Sequence, residues 1–146
     1  MHEIVTDIWS YLGQAVIVIT TNGSLTRDGR AIPGRGVARQ AAERFPGLFQ
    51  ELELLLQSGG FHVHEIRLGL VSFPVEETPF SLPDPHIIRR SADELRQLAD
   101  QRGWNTVVVP RPGCGGGGMR WEDVRPVLEK YFDDRFIIVT SPAPSG

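Results

Sequence analysis

The 146-residue sequence has a single cysteine, Cys114. A lone thiol excludes an intrachain disulfide framework and any cysteine cluster around a metal. Long apolar runs are missing too, since none approaches the roughly 18 to 20 residues that a membrane-spanning helix needs. The opening residues, MHEIVTDIW, lack the charged and apolar regions of a signal peptide. The expected location is therefore the cytoplasm, with no membrane partner. Blocks of like charge do not occur. A formal net charge of −3 and a pI near 5.8 give no basis for broad electrostatic attachment to nucleic acid, and leave room only for a local basic groove. Among the four histidines, His62 and His64 alternate in an expected strand while His2 and His86 lie elsewhere, so no metal site is expected. Internal repeats and linker-like stretches are absent, and residues 1–146 read as one domain.

What is present is an ordinary globular composition, 40% hydrophobic and 23% charged. Ala15 to Thr20 form a β-branched apolar run, the pattern of a strand buried on both faces. From Val37 the apolar spacing becomes helical through Val37, Ala38, Ala41, Ala42 and Phe45 until Pro46-Gly47 interrupts it. A second helix with Leu48, Leu52, Leu55 and Leu56 ends at Gly59-Gly60. FHVHEIR and GLVSFP read as a hairpin turning at Leu68-Gly69. Asp84 caps and Pro85 opens a helix with Ile88, Ala92, Leu95 and Leu98 or Ala99 on its buried stripe, and Gly103 stops it. Thr106 to Pro110 and Arg135 to Thr140 are further strands. Between them, Trp121 to Phe132 have helical spacing, and Pro126 places the start of the regular helix near itself. SPAPSG is a loose tail from about residue 140 to 146. Helices alternating with buried strands, interrupted by a hairpin, predict an α/β fold with a mixed sheet.

Two segments share one design of buried strand, glycine-rich turn and helix: VIVITTNGSLTRDGRAIPGRGVARQ and TVVVPRPGCGGGGMRW. Glycine admits positive φ and lets a ligand approach the backbone closely. Exposed N–H groups at a helix start suit a phosphate or diphosphate. Loops at strand C-termini converge on one rim, so both loops face one ligand. Neither is a Walker A loop, because no Lys-Ser/Thr follows the glycines. GRGVARQ also has only the first half of the dinucleotide-binding fingerprint.

Taken together, TDIW, TTNGSL, GRGVARQAAERFPGL and PGCGGGGMRWEDV resemble the macrodomain family, modules that bind ADP-ribose and in some cases cleave it from its attachment. The likeness runs from about Thr6 to Thr140 and is nearest to the branch of terminal ADP-ribose glycohydrolases and DarG antitoxins. It implies a three-layer α/β/α fold, with ADP-ribose or an ADP-ribosylated macromolecule as partner, and nucleic acid only if ADP-ribosylated. No cofactor is implied. Asp7 is similar to the acid that accepts from the adenine amino group, with the Ile8 backbone beside it, though a helix or turn cap explains Asp7 as well. Asn22 is similar to the residue at the distal ribose, or is a turn former before Gly23. Gly34, Arg35, Gly36, Val37 and Ala38 resemble the first phosphate-facing loop. Gly113, Cys114, Gly115, Gly116, Gly117, Gly118 and Met119 resemble the second, which wraps the diphosphate and distal ribose. Trp121 reads as a helix anchor or a ligand contact, and Pro142 falls where the family often has an adenine-stacking residue.

The sequence departs from that branch in its chemistry. Its glycohydrolases use a lysine at the hairpin end and an acid in the second loop, and here those positions hold Glu76 and Gly117. Without the amine there is no covalent lysine adduct. A water-based route needs only ribose-orienting groups and a base, and Glu76 is the candidate, ahead of Glu77, Asp28 or a histidine. Cys114 has no basic partner in its loop and reads as a small packing residue. The sequence leaves turnover and oligomeric state open.

Overall fold

The computed structural model describes residues 1–142. Its elements are β1 (His2–Val5), a 3-10 turn (Ile8–Tyr11), β2 (Val16–Asn22), α1 (Val37–Arg44), α2 (Leu48–Gly59), β3 (His64–Arg67), β4 (Leu70–Glu76), α3 (Pro85–Arg102), β5 (Val107–Pro110), α4 (Trp121–Glu129) and β6 (Phe136–Thr140). They form a six-stranded sheet in the order β1-β6-β5-β2-β4-β3. Five neighbouring strands are parallel, and only β3 runs antiparallel, against β4. The hairpin turns at Leu68-Gly69 as its pattern predicts, and it makes the sheet mixed.

Alternation along the strands builds the three layers. Val16 and Val18 point to one face, where they join Val107 and Val109 against Ile88, Leu95 and Leu128 of α3 and α4. Ile17 and Ile19 point to the other, where Ala38, Ala41, Leu48 and Leu52 of α1 and α2 cover them. Both strand faces are buried, which is why β2 and β5 read as unbroken apolar runs. Asp84 caps α3, its Oδ1 accepting from His86 N at 2.8 Å, and Gly103 ends the helix at φ +66°.

One strand goes unannounced in the sequence, and two expectations need correction. The N-terminal residues form an edge strand, β1, that the sequence does not announce; all four residues are exposed, so no buried face writes an alternating pattern. α4 starts at Trp121, not near Pro126, which lies inside it. Proline there removes one intrahelical bond, and packing of Val124 and Leu128 into the core holds the short helix regular across the gap. His62 precedes β3 instead of belonging to it: its Nδ1 pairs with Glu94 Oε2 at 2.7 Å, while His64 Nε2 meets the Gly60 carbonyl at 2.8 Å. Ser141 and Pro142 follow β6 without regular structure, and the rest of the predicted tail, 143–146, lies outside the described residues. Among the described residues no helix is long and apolar enough to cross a membrane.

Candidate functional site

The five parallel strands end on one rim, and their successors line up across it in sheet order: Asp7 after β1, Ser141 after β6, Arg111 after β5, Asn22 closing β2 and Glu76 closing β4. A cleft of about 620 Å³ opens above that rim, lined by both glycine loops and by Asn22, Glu76 and Ser141. That volume falls in the range of nucleotide-sized ligand sites, roughly 300 to 1,000 Å³. A shallower depression holds Asp7, Trp9, Gln40 and Arg44, and it adjoins the cleft through Ser141, which borders both.

The first loop is held from below, where Glu53 Oε1 accepts from Ala31 N at 2.9 Å and Gln57 Nε2 donates to the Gly29 carbonyl at 3.1 Å. It enters α1 through Gly36, at φ +63° and ψ −130°, a conformation that side chains resist. No side chain caps α1, so its first-turn N–H groups are left to whatever enters the cleft beside Gly34 to Val37. Ala38 is buried beneath that turn and supports it without lining the cleft.

The second loop folds on itself: Cys114 N donates to the Arg111 carbonyl, Gly118 N to Gly115 and Met119 N to Gly113. The N–H groups of Gly115, Gly116 and Gly117, by contrast, make no backbone hydrogen bond among the described residues. Three successive free donors on bare backbone are groups of the kind that bind an anion. The base of the loop is pinned at both ends. Arg111 stacks on Trp121 at 4.9 Å, and Trp121 Nε1 donates to Glu3 Oε1 at 2.7 Å. Trp121 is thus an anchor, and the buried Arg111 Nε is left without a partner. Met119 packs underneath, against the core, and Gly118 lies outside the lining.

Gly117 has a packing reason to lack a side chain. A Cβ there would lie 2.5 Å from Pro83 Cγ and 2.6 Å from the Gly113 carbonyl oxygen. Pro83 belongs to the segment between β4 and α3, whose Pro79, Ser81 and Leu82 also line the cleft. Sequence reasoning missed this segment and Arg111, Thr140 and Ser141. The only signal for the last three is that each ends or directly follows a strand that the sequence does announce.

Electrostatics distinguish the polar residues. Burial pushes the Glu76 carboxyl above its ordinary range, and the Arg35 charge opposes this in part. Asn22 is 6% exposed, and its Nδ2 donates to the Ile32 carbonyl at 3.2 Å, which fixes the amide at the cleft floor. Asp7 caps the 3-10 turn, its Oδ1 accepting from Trp9 N at 3.0 Å; Ile8 behind it is buried. Cys114 donates to the Pro112 carbonyl at 3.4 Å, and burial raises its thiol pKa, which makes it a poor nucleophile. Lys130, the only lysine of the chain, sits at the end of α4 remote from the rim where that helix begins. Among the described residues no group of three or more His, Cys, Asp or Glu is placed to hold a metal.

A mixed six-stranded sheet with helices on both faces matches the macrodomain fold. The structure is similar to the macrodomain of Mycobacterium tuberculosis DarG at 24% identity and TM-score 0.71, covering 98% of this chain and 99% of that one. It is also similar to the macrodomain of Thermus aquaticus DarG, at 18% identity and TM-score 0.71 over 96% and 99% of the two chains. Against Thermosipho africanus DarTG in complex with ADP-ribose the values are 15% and 0.75, covering 98% of this chain and 42% of the other. No protein-family model and no curated protein matches the sequence.

Proposed function

We propose that the protein binds ADP-ribose, free or attached to a macromolecule. The observation that carries this reading is the run of free N–H groups at Gly115, Gly116 and Gly117, facing the uncapped start of α1 across a cleft of nucleotide size. Backbone donors and a helix start favour a diphosphate between them. The rim has length as well as charge. Four strand spacings of about 4.8 Å separate the ends of β1 and β4 by roughly 19 Å, room for a diphosphate with a nucleoside on one side and a sugar on the other. Adenine then lies against Asp7, the Ile8 backbone and Ser141, with the distal ribose at Asn22 and Glu76. Solved structures of the same fold in complex with ADP-ribose and with ADP support a ligand of this class.

Calorimetry with ADP-ribose, ADP and NAD tests the reading. Saturable binding with ADP-ribose preferred is expected. No heat with ADP-ribose up to about millimolar concentration would overturn it.

One observation favours a second reading, hydrolysis of an ADP-ribosyl bond or of ADP-ribose 1″-phosphate. The Glu76 carboxyl borders the cleft at its ribose end, and burial raises its pKa, which strengthens it as a base. A lysine adduct is not available, since Lys130 lies elsewhere. Turnover of ADP-ribosylated protein, ADP-ribosylated DNA and ADP-ribose 1″-phosphate, followed by chromatography, decides it. Product that disappears in Glu76→Gln supports hydrolysis, and no product at high protein concentration removes it.

A further inference from the structure

The segment 77–83 leaves β4 and returns to it as a closed strap, because Asp84 N donates to the Val75 carbonyl at 2.9 Å. Its interior is fixed by Ser81 N donating to the Thr78 carbonyl at 3.1 Å and Phe80 N to Thr78 Oγ1 at 3.2 Å. One side of the strap rests on the glycine loop through Pro83 at Gly117. Two large apolar side chains reach solvent from the strap, Phe80 at 96% exposure and Leu82, on the cleft rim, at 82%. Charge on the strap has one sign: Glu76, Glu77 and Asp84 fall between positions 76 and 84, and that stretch contains no lysine or arginine. Of the nearby cations, Arg35 meets the Gly116 carbonyl and Arg90 meets Glu94 and the Phe61 carbonyl, while Arg89 on α3 is exposed.

We propose that the strap docks the polypeptide that carries the ADP-ribose, a segment with an apolar side chain and lysine or arginine beside the modified residue. This rests on the ADP-ribose reading of the cleft. The strap adjoins the ribose end, from which any attached macromolecule emerges. A rigid, preformed turn that presents an aromatic residue loses little entropy on contact and suits an extended peptide. The carboxylates attract basic flanks and repel a phosphodiester backbone, so a nucleic-acid carrier is disfavoured at this surface.

The test is calorimetry of the full chain with free ADP-ribose, with peptides bearing one ADP-ribose through a non-hydrolysable linkage between basic-apolar or acidic flanks, and with an ADP-ribosylated oligonucleotide. The basic-apolar peptide should bind about ten-fold tighter than free ADP-ribose, and the other two conjugates no tighter than it. Phe80→Ser and Glu77→Gln, both outside the cleft lining, should each reduce the peptide's advantage while leaving free ADP-ribose unchanged. Equal affinity for all conjugates, or preference for the oligonucleotide, would overturn the docking surface while the cleft reading stands. Loss of free ADP-ribose binding in the unaltered protein would remove both.

Discussion

Arg35 Nη2 donates to the Gly116 carbonyl oxygen at 3.4 Å, across the cleft from the first glycine loop to the second. The guanidinium packs so closely on the backbone that a Cβ at Gly116 would lie 3.0 Å from Arg35 Cζ. An exposed cation thus rests between the two loops on a neutral acceptor, which an oxygen of the proposed diphosphate would outcompete.

Arg35→Ala should therefore weaken ADP-ribose binding about ten-fold, the low end for loss of one charged hydrogen bond at an exposed site. Titration at two ionic strengths checks the cause. Affinity of the unaltered protein falls with salt, and that of the variant falls less.

Glu76 makes a pH prediction. Its folded-state pKa is raised by burial, so the folded state holds a proton that the unfolded state has released. Stability falls as pH rises from the ordinary carboxylate value, about 4.3, through the raised folded value, and the loss is complete above it. Glu76→Gln should remove that loss. Thermal melts should show the variant slightly more stable near neutral pH and equal to the unaltered protein below about pH 4. The Arg35 charge, which opposes the effect of burial, keeps the difference small.

Asp7 has two roles that one substitution separates. Asparagine still accepts from Trp9 N and keeps the cap. Its amide loses the second acceptor that an adenine amino group needs. Asp7→Asn should hold the melting temperature and weaken ADP-ribose about ten-fold, whereas Asp7→Ala should also lose about 1 kcal/mol of stability with the cap. Unchanged affinity in Asp7→Asn would make Asp7 a cap only.

Gly117→Asp places an acid at the cleft only at a cost. With 2.5 Å to Pro83 and 2.6 Å to the Gly113 carbonyl, any side chain overpacks the loop. Denaturant unfolding should show about 1 to 3 kcal/mol of destabilisation for both Gly117→Asp and Gly117→Ala. Equal stability would mean that the strap moves aside freely.

The layers were legible because the strands are buried on both faces and the helices on one, so each wrote its own period into the chain. β1 was not, since a fully exposed edge strand leaves no pattern. The glycine loops were legible from Gly34 to Gly36 and Gly113 to Gly118, where bare backbone follows a buried strand. Within those loops the sequence could not separate lining from support: Ala38 and Met119 lie beneath the surface that their neighbours form. The strap was illegible for a different reason. TPFSLP reads as a turn anywhere, and only the three-dimensional approach of Pro83 to Gly117 makes it a wall of the cleft.

That wall also decides what position 117 can hold. Pro83 already fills the space that a side chain there would take. An exchange at 117 is therefore a change of the strap as much as of the loop, and a library at this one position should yield stable variants only where residues 79 to 83 vary with it.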